Sequence, residues 1–182
     1  MNEKTLSGKK AVMIIASKDF QDEEYLVTKD ILERANVKVK TASNRIGAAV
    51  GSFGGETTVD ILVKDINPTD FSAVVFIGGG GCLDYLDNEN SYKVCRETIS
   101  RNKILASICI SPMILAKAGV LKGKKATVWS SPLDKYPIKT LEENGAIYEA
   151  ESVVQDGKII TANGPSAAEE FGQTILEALM RK

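Results

Sequence analysis

The sequence predicts a three-layer α/β sandwich: a mostly parallel sheet covered by helices on both faces. Two observations carry this. Strand-like and helix-patterned segments alternate along the chain, and the runs at 72–77 and 104–108 are apolar but for Ser72 and Ser107, as strands buried on both faces are. The first of these runs ends in four glycines, and the second ends in a turn that opens directly into a helix.

Each element has its own signal. Residues 9–17, KKAVMIIAS, form a short apolar run that closes in small and polar residues and reads as the first strand. Asp22, Glu23 and Glu24 then place negative charge in the first turn of a helix, where the peptide dipoles favour it, and Val27, Ile31 and Ala35 follow at helical spacing. VKVKTA at 37–42 alternates with period two, and Gly51, Gly54 and Gly55 punctuate a hairpin insert ending in TVDILV. Further on, 91–100 reads as a helix, 111–118 as a helix directly behind Cys109, and 126–129 as another short strand. A helix over roughly 134–144 stops at Asn144-Gly145, a left-handed cap signal. VVQDGKIITA gives two strands around an Asp-Gly turn. The last helix is expected to open on a Ser166/Glu169 capping box and to bury Phe171, Ile175 and Leu179.

Composition narrows function. With 182 residues, 43% of them hydrophobic, one domain over 1–182 is expected. The balance of 23 basic and 24 acidic residues leaves no footprint for nucleic acid or an anionic membrane. No apolar run approaches the ~18 residues of a spanning helix, and the start has no apolar leader, so a cytoplasmic protein is expected. Three cysteines at unequal gaps fit neither a disulfide framework nor a zinc site, and neither metal nor cofactor is expected. The chain contains no histidine, which excludes a Ser-His-Asp triad and a Cys-His dyad within it.

ASICISP at 106–112 is the segment that carries chemistry. A strand ends, one thiol sits on the turn, Ser107 and Ser111 flank it two positions either side, and a helix begins: the spacing of a nucleophile elbow with cysteine in place of serine. The helix end is expected to lower the Cys109 pKa, with the Ile110 N–H and an N–H of Gly80 as oxyanion donors. Against this stands the ordinary role of cysteine as a small buried hydrophobe, the better reading for Cys95, whereas Cys82 is expected to be exposed enough to oxidise.

These residues resemble the ThiJ/PfpI superfamily over nearly the whole chain. The matching pieces are F-x-D-x-E at Phe20, Asp22 and Glu24, VVFIGGGGCLDYL, SICISPMILAKAGVLKGKKAT, NGAIYEAESVVQDGKIITANGP and the closing amphipathic helix. The resemblance implies a flavodoxin-like fold, Cys109 as nucleophile, and Glu24 as the glutamate touching its sulfur and sharing a proton with it. It also implies Asp30 in a second shell, and Gly79, Ser111, Trp129, Ser130, Gly164 and Pro165 around the pocket. PfpI-type proteins resemble C-H-G-P after the nucleophile, but this chain reads Cys109-Ile110-Ser111-Pro112, closer to the branch with an apolar residue there. The implied activity is a cofactor-free, glyoxalase- or deglycase-like reaction on a small carbonyl substrate. A redox-sensing cysteine is the alternative, a peptidase is disfavoured by the missing histidine, and a homodimer or higher homo-oligomer is implied.

Overall fold

In the computed structural model, which describes residues 6–181, the strands are β1 (Lys10–Ile14), β2 (Lys18–Phe20), β3 (Lys38–Ser43), β4 (Gly47–Gly51), β5 (Glu56–Val59), β6 (Ile61–Leu62), β7 (Ala73–Phe76), β8 (Ile104–Ile108), β9 (Lys125–Ala126), β10 (Ile147–Tyr148), β11 (Val153–Asp156) and β12 (Ile159–Ala162). The helices are α1 (Asp22–Arg34), α2 (Cys82–Leu86), α3 (Glu89–Ser100), α4 (Pro112–Lys117), α5 (Tyr136–Glu143) and α6 (Ala168–Met180). Seven strands form the main sheet in the order β11-β12-β8-β7-β1-β3-β6, parallel everywhere except at the β11–β12 hairpin.

Alternation along the strands builds two cores. Ala11, Met13, Ile15, Val75 and Ala106 face α1 and α6, where they pack with Tyr25, Leu32, Phe171 and Ile175. Val12, Ile14, Val74, Phe76 and Leu105 face the other way, toward Leu86, Val94, Cys95, Met113 and Leu141 of α2 to α5. Helices on both faces of a twisted parallel sheet make this a flavodoxin-like three-layer fold. The close approach of α6 to α1 depends on Gly172, where a Cβ would lie 2.7 Å from Ile31 Cδ1.

The chain crosses from β1 through α1 to β3 on one side, and later returns to β7 on the other. The order therefore reverses between β1 and β7, and in open sheets ligands bind beyond the strand ends at such a point.

Four expectations are corrected. Of the strand expected at 126–129 only Ala126 is in strand, in β9 (Lys125–Ala126), which pairs with β10 in a separate two-stranded sheet, because β11 already occupies the free edge of β12. The insert is three-stranded: β2, which no sequence pattern signalled, pairs in parallel with β4, and TVDILV divides at Asp60 between β5 of this small sheet and β6 of the main one. Asp60 sits at the division, donating its N–H to Thr41 O at 2.8 Å and accepting the Thr41 N–H on its carboxylate at 2.8 Å. The Ser166/Glu169 capping box does not form. Pro165–Ala167 make a 3₁₀ turn closed by Ala167 N–H to Gly164 O at 3.0 Å, and α6 starts after it without a side-chain cap. Finally, Cys82 is not exposed but fully buried at the first position of α2.

Candidate active site

β8 delivers Cys109 onto a sharp turn, where its φ of +65° lies in the left-handed region that a non-glycine residue avoids. Such a conformation costs on the order of 1–3 kcal/mol and persists only when its surroundings impose it. Here the backbone is pinned on both sides: Cys109 N–H donates to Ala162 O at 2.9 Å, and Trp129 N–H donates to Cys109 O at 2.8 Å. Ser111 holds the turn from beneath. Its hydroxyl is fully buried and lies 2.8 Å from Ile108 O, 3.1 Å from Phe76 O and 2.9 Å from Ser107 Oγ. Ser111 itself has right-handed backbone angles, so its Cβ leaves the elbow unstrained at that position.

Glu24 comes from the first turn of α1 and is fully buried. Its carboxyl meets the Cys109 side chain over Gly78, the second residue after β7. Gly78 N–H donates to Glu24 Oε2 at 2.9 Å, and Gly78 O accepts the N–H of Gln21, the N-cap of α1, at 3.0 Å. One residue thus clamps the helix end to the sheet. A Cβ on Gly78 would lie 2.6 Å from Cys109 Cβ and 2.9 Å from Glu24 Oε2, so only glycine lets the two side chains meet there.

The electrostatics follow from burial. Desolvation pushes the Glu24 carboxyl up to about 7, against the lowering effects of the Gly78 N–H and the Cys109 thiol. Burial, then the neighbouring Glu24 charge, pushes the Cys109 thiol up as well, opposed by the Ile110 N–H at its sulfur. The expected lowering of the thiol pKa by the helix end is therefore not what these surroundings favour; α4 is six residues long, and desolvation dominates. Two groups in such contact cannot both ionise cheaply, and they titrate as a pair.

The other sequence-predicted residues divide clearly. Gly79 (φ +113°) and Gly80 continue the glycine turn; a Cβ on Gly79 would strike Gln21 N at 2.4 Å, whereas Gly80 is exposed. Trp129 and Gly164 meet beside the elbow, where a Gly164 Cβ would lie 3.7 Å from Trp129 Cδ1, and Ser130 and Pro165 follow them half-buried. Asp30 is not part of this constellation: it is solvent-exposed and pairs with Arg34 at 2.9 Å, one turn along α1. Ser111 lies under the elbow rather than on a pocket wall.

Gly78 and Asp22 are the residues sequence reasoning missed. Asp22, read as a first-turn acid and as part of the F-x-D-x-E piece but given no role, accepts the N–H groups of Phe53 at 2.9 Å and Gly55 at 2.7 Å, fixing the β4–β5 turn against α1. The glycines at 51 and 55 were its signal, since a Cβ on either would collide with the Asp22 carboxylate.

With this geometry in place, comparison with known proteins is decisive. The family described as the DJ-1/PfpI family matches residues 9–178. The chain belongs to the DJ-1/PfpI family. An uncharacterised protein of Methanocaldococcus jannaschii is 41% identical over 181 residues, 98% of this chain and 87% of that one. The Pyrococcus furiosus family member named deglycase PfpI is 29% identical over 154 residues, covering 85% of this chain and 90% of its own. Among solved members, a ThiJ/PfpI domain protein from Brachyspira murdochii superposes with a TM-score of 0.88 at 32% identity, over 95% of this chain and 98% of that one.

Proposed function

We propose that this family member is a cysteine-dependent, cofactor-free enzyme acting on small 2-oxoaldehydes, in the manner of a glyoxalase or deglycase. The observation that supports it most is the meeting of Cys109, held on a strained elbow, with a buried Glu24 whose carboxyl titrates near neutrality. A group with a pKa near the working pH serves best both as acid and as base. The names of deglycase relatives point the same way.

The chemistry closes on these two side chains and water. Cys109 sulfur bonds to the aldehyde carbon of methylglyoxal, and the carbonyl oxygen takes a proton to give a hemithioacetal. Glu24 removes the proton on that carbon and returns it to the adjacent carbon through an enediol, leaving a lactoyl thioester. Water cleaves the thioester to lactate and restores the thiol. One carbon is oxidised and its neighbour reduced, so no external electron carrier takes part. The Ile110 N–H and the free Gly80 N–H are the oxyanion donors, and Gly79, Trp129, Ser130, Gly164 and Pro165 border the substrate.

Among the described residues no helix is long and apolar enough to cross a membrane. Three free cysteines suit a reducing cytoplasm as the site of action. The protein works as a homo-oligomer, in which Leu26 on α1, Ile46 in the connection before β4, and Val50 and Phe53 on the β4–β5 hairpin, all apolar and exposed, meet a second copy.

Purified protein should consume methylglyoxal and release lactate. Cys109→Ser abolishes this, and Glu24→Gln lowers it by about 10²–10⁴. An inactive wild-type protein contradicts the proposal. A second reading rests on Glu24 Oε1, which is buried with no hydrogen-bond partner. A protonated Glu24 can donate from there to an oxygen carried by sulfur, so two equivalents of peroxide would take Cys109 to a sulfinic acid that Glu24 holds. Intact mass after mild peroxide distinguishes this: two added oxygens on Cys109 support it, and oxidation spread over all three cysteines opposes it.

A further inference from the structure

A second cleft, of about 220 Å³, opens at the same carboxyl edge of the sheet, between the end of β3, the 62–64 segment, α2 and the first turn of α3. No residue of the Cys109 site lines it. Its polar inventory is one-sided. No lining residue is acidic, and those that matter most are hydrogen-bond donors.

Ser91 stands in the first turn of α3, a twelve-residue helix, and is fully buried, yet its hydroxyl has no hydrogen-bond partner. Buried hydroxyls are normally satisfied, so this one marks a place for an acceptor supplied from outside the chain. Across the cleft, Asn44 Oδ1 already accepts the Ser17 N–H at 2.9 Å and the Ser43 hydroxyl at 3.1 Å, which leaves its amide NH₂ as the end available for bonding. Lys64 forms no ion pair among the described residues. At the N-terminus of α3 the Asn88 side chain already accepts the Asn90 N–H at 3.1 Å and Glu89 stands in the first turn paired with Arg96, so the helix start contributes only its remaining backbone N–H groups. Leu62, Leu86 and the Tyr85 ring supply an apolar wall.

We infer that this cleft binds a small organic anion, its carboxylate or phosphate head held by Ser91, Asn44, Lys64 and the start of α3, and its short body against Leu62, Leu86 and Tyr85. A cation is refused by the absence of acidic lining, and a long ligand by the volume. The site is independent of the Cys109 reaction, so it stands whether or not the chain turns over 2-oxoaldehydes.

Titration of isotope-labelled full-length protein with glycerol 3-phosphate and with lactate, followed by amide NMR, tests this, with glycerol as the uncharged control. Saturable shifts are expected at Asn44, Lys64 and Ser91 with at least one charged probe and none with glycerol. Ser91→Ala and Lys64→Gln should each weaken that binding about tenfold, as loss of a charge-assisted hydrogen bond does. Cys109→Ala should leave it unchanged. Ser91→Ala removes only an unsatisfied hydroxyl, so its fold is retained and its binding can be read. No saturable shift with either charged probe, equal shifts with glycerol, or wild-type affinity in both cleft variants overturns the inference.

Discussion

The Gly78 N–H donates to Glu24 Oε2 at 2.9 Å, so one strand-end peptide fixes the carboxyl that faces the Cys109 sulfur. In a Gly78→Ala variant, the added methyl would meet Cys109 Cβ at 2.6 Å and the Ile108 carbonyl at 3.0 Å. Neither is the far end of a flexible chain, so the elbow or α1 must shift. Overpacking of this kind costs about 1–3 kcal/mol. Thermal or denaturant unfolding should show that loss, with activity falling much further than the loss of folded protein explains. A Gly78→Ala protein of wild-type activity would contradict this role.

Ser111 secures the elbow through buried contacts to Phe76 O and Ile108 O. Removing the hydroxyl in Ser111→Ala leaves buried acceptors short of a donor, at a cost of about 1–3 kcal/mol. Denaturant titration is the check. The same variant should react faster at Cys109 with a small alkylating agent, because the turn that constrains the sulfur loosens.

Glu24 also makes stability depend on pH. Its folded pKa, about 7, lies above the ordinary 4.5, so between these values the folded state holds a proton that the unfolded chain has released. Stability from this group is therefore fully present below about 4.5, declines as pH rises to about 7, and is level beyond. The change is on the order of 3 kcal/mol. Glu24→Gln carries no such proton, and its unfolding free energy should be flat across this window where that of wild type falls.

If Leu26, Ile46, Val50 and Phe53 form a subunit contact, the most exposed of them, Phe53 at 80%, is the one to charge. Phe53→Glu should run as a monomer under light scattering at concentrations where wild type is a dimer or larger. A monomeric wild type would contradict the homo-oligomer.

The sheet, its parallel sense and the elbow were legible in the sequence because each rests on a local pattern. ILASI is apolar but for Ser107, and β8 spans those five residues, all of them buried, Ile104–Ile108. Asn144-Gly145 ended α5 as expected, with Gly145 at φ +83°. What escaped was decided by partners distant in sequence. β2 exists because β4 lies beside it, and Asp30 faces solvent because the turn of α1 carries it away from Glu24. The thiol pKa was misjudged for the same reason. A helix end behind Cys109 is visible in the sequence, but the depth at which Glu24 and the sulfur are buried together is set by Gly78 and the fold around it.

The pairing of Cys109 with Glu24 is tested most directly by the rate of Cys109 alkylation against pH, in wild type and Glu24→Gln, with Cys82 and Cys95 buried and silent. Wild type should show a step near pH 7 as the pair loses its first proton, and Glu24→Gln should lack that step. Superimposable profiles would mean that the carboxyl and the thiol titrate independently, contradicting the shared proton on which the proposed chemistry depends.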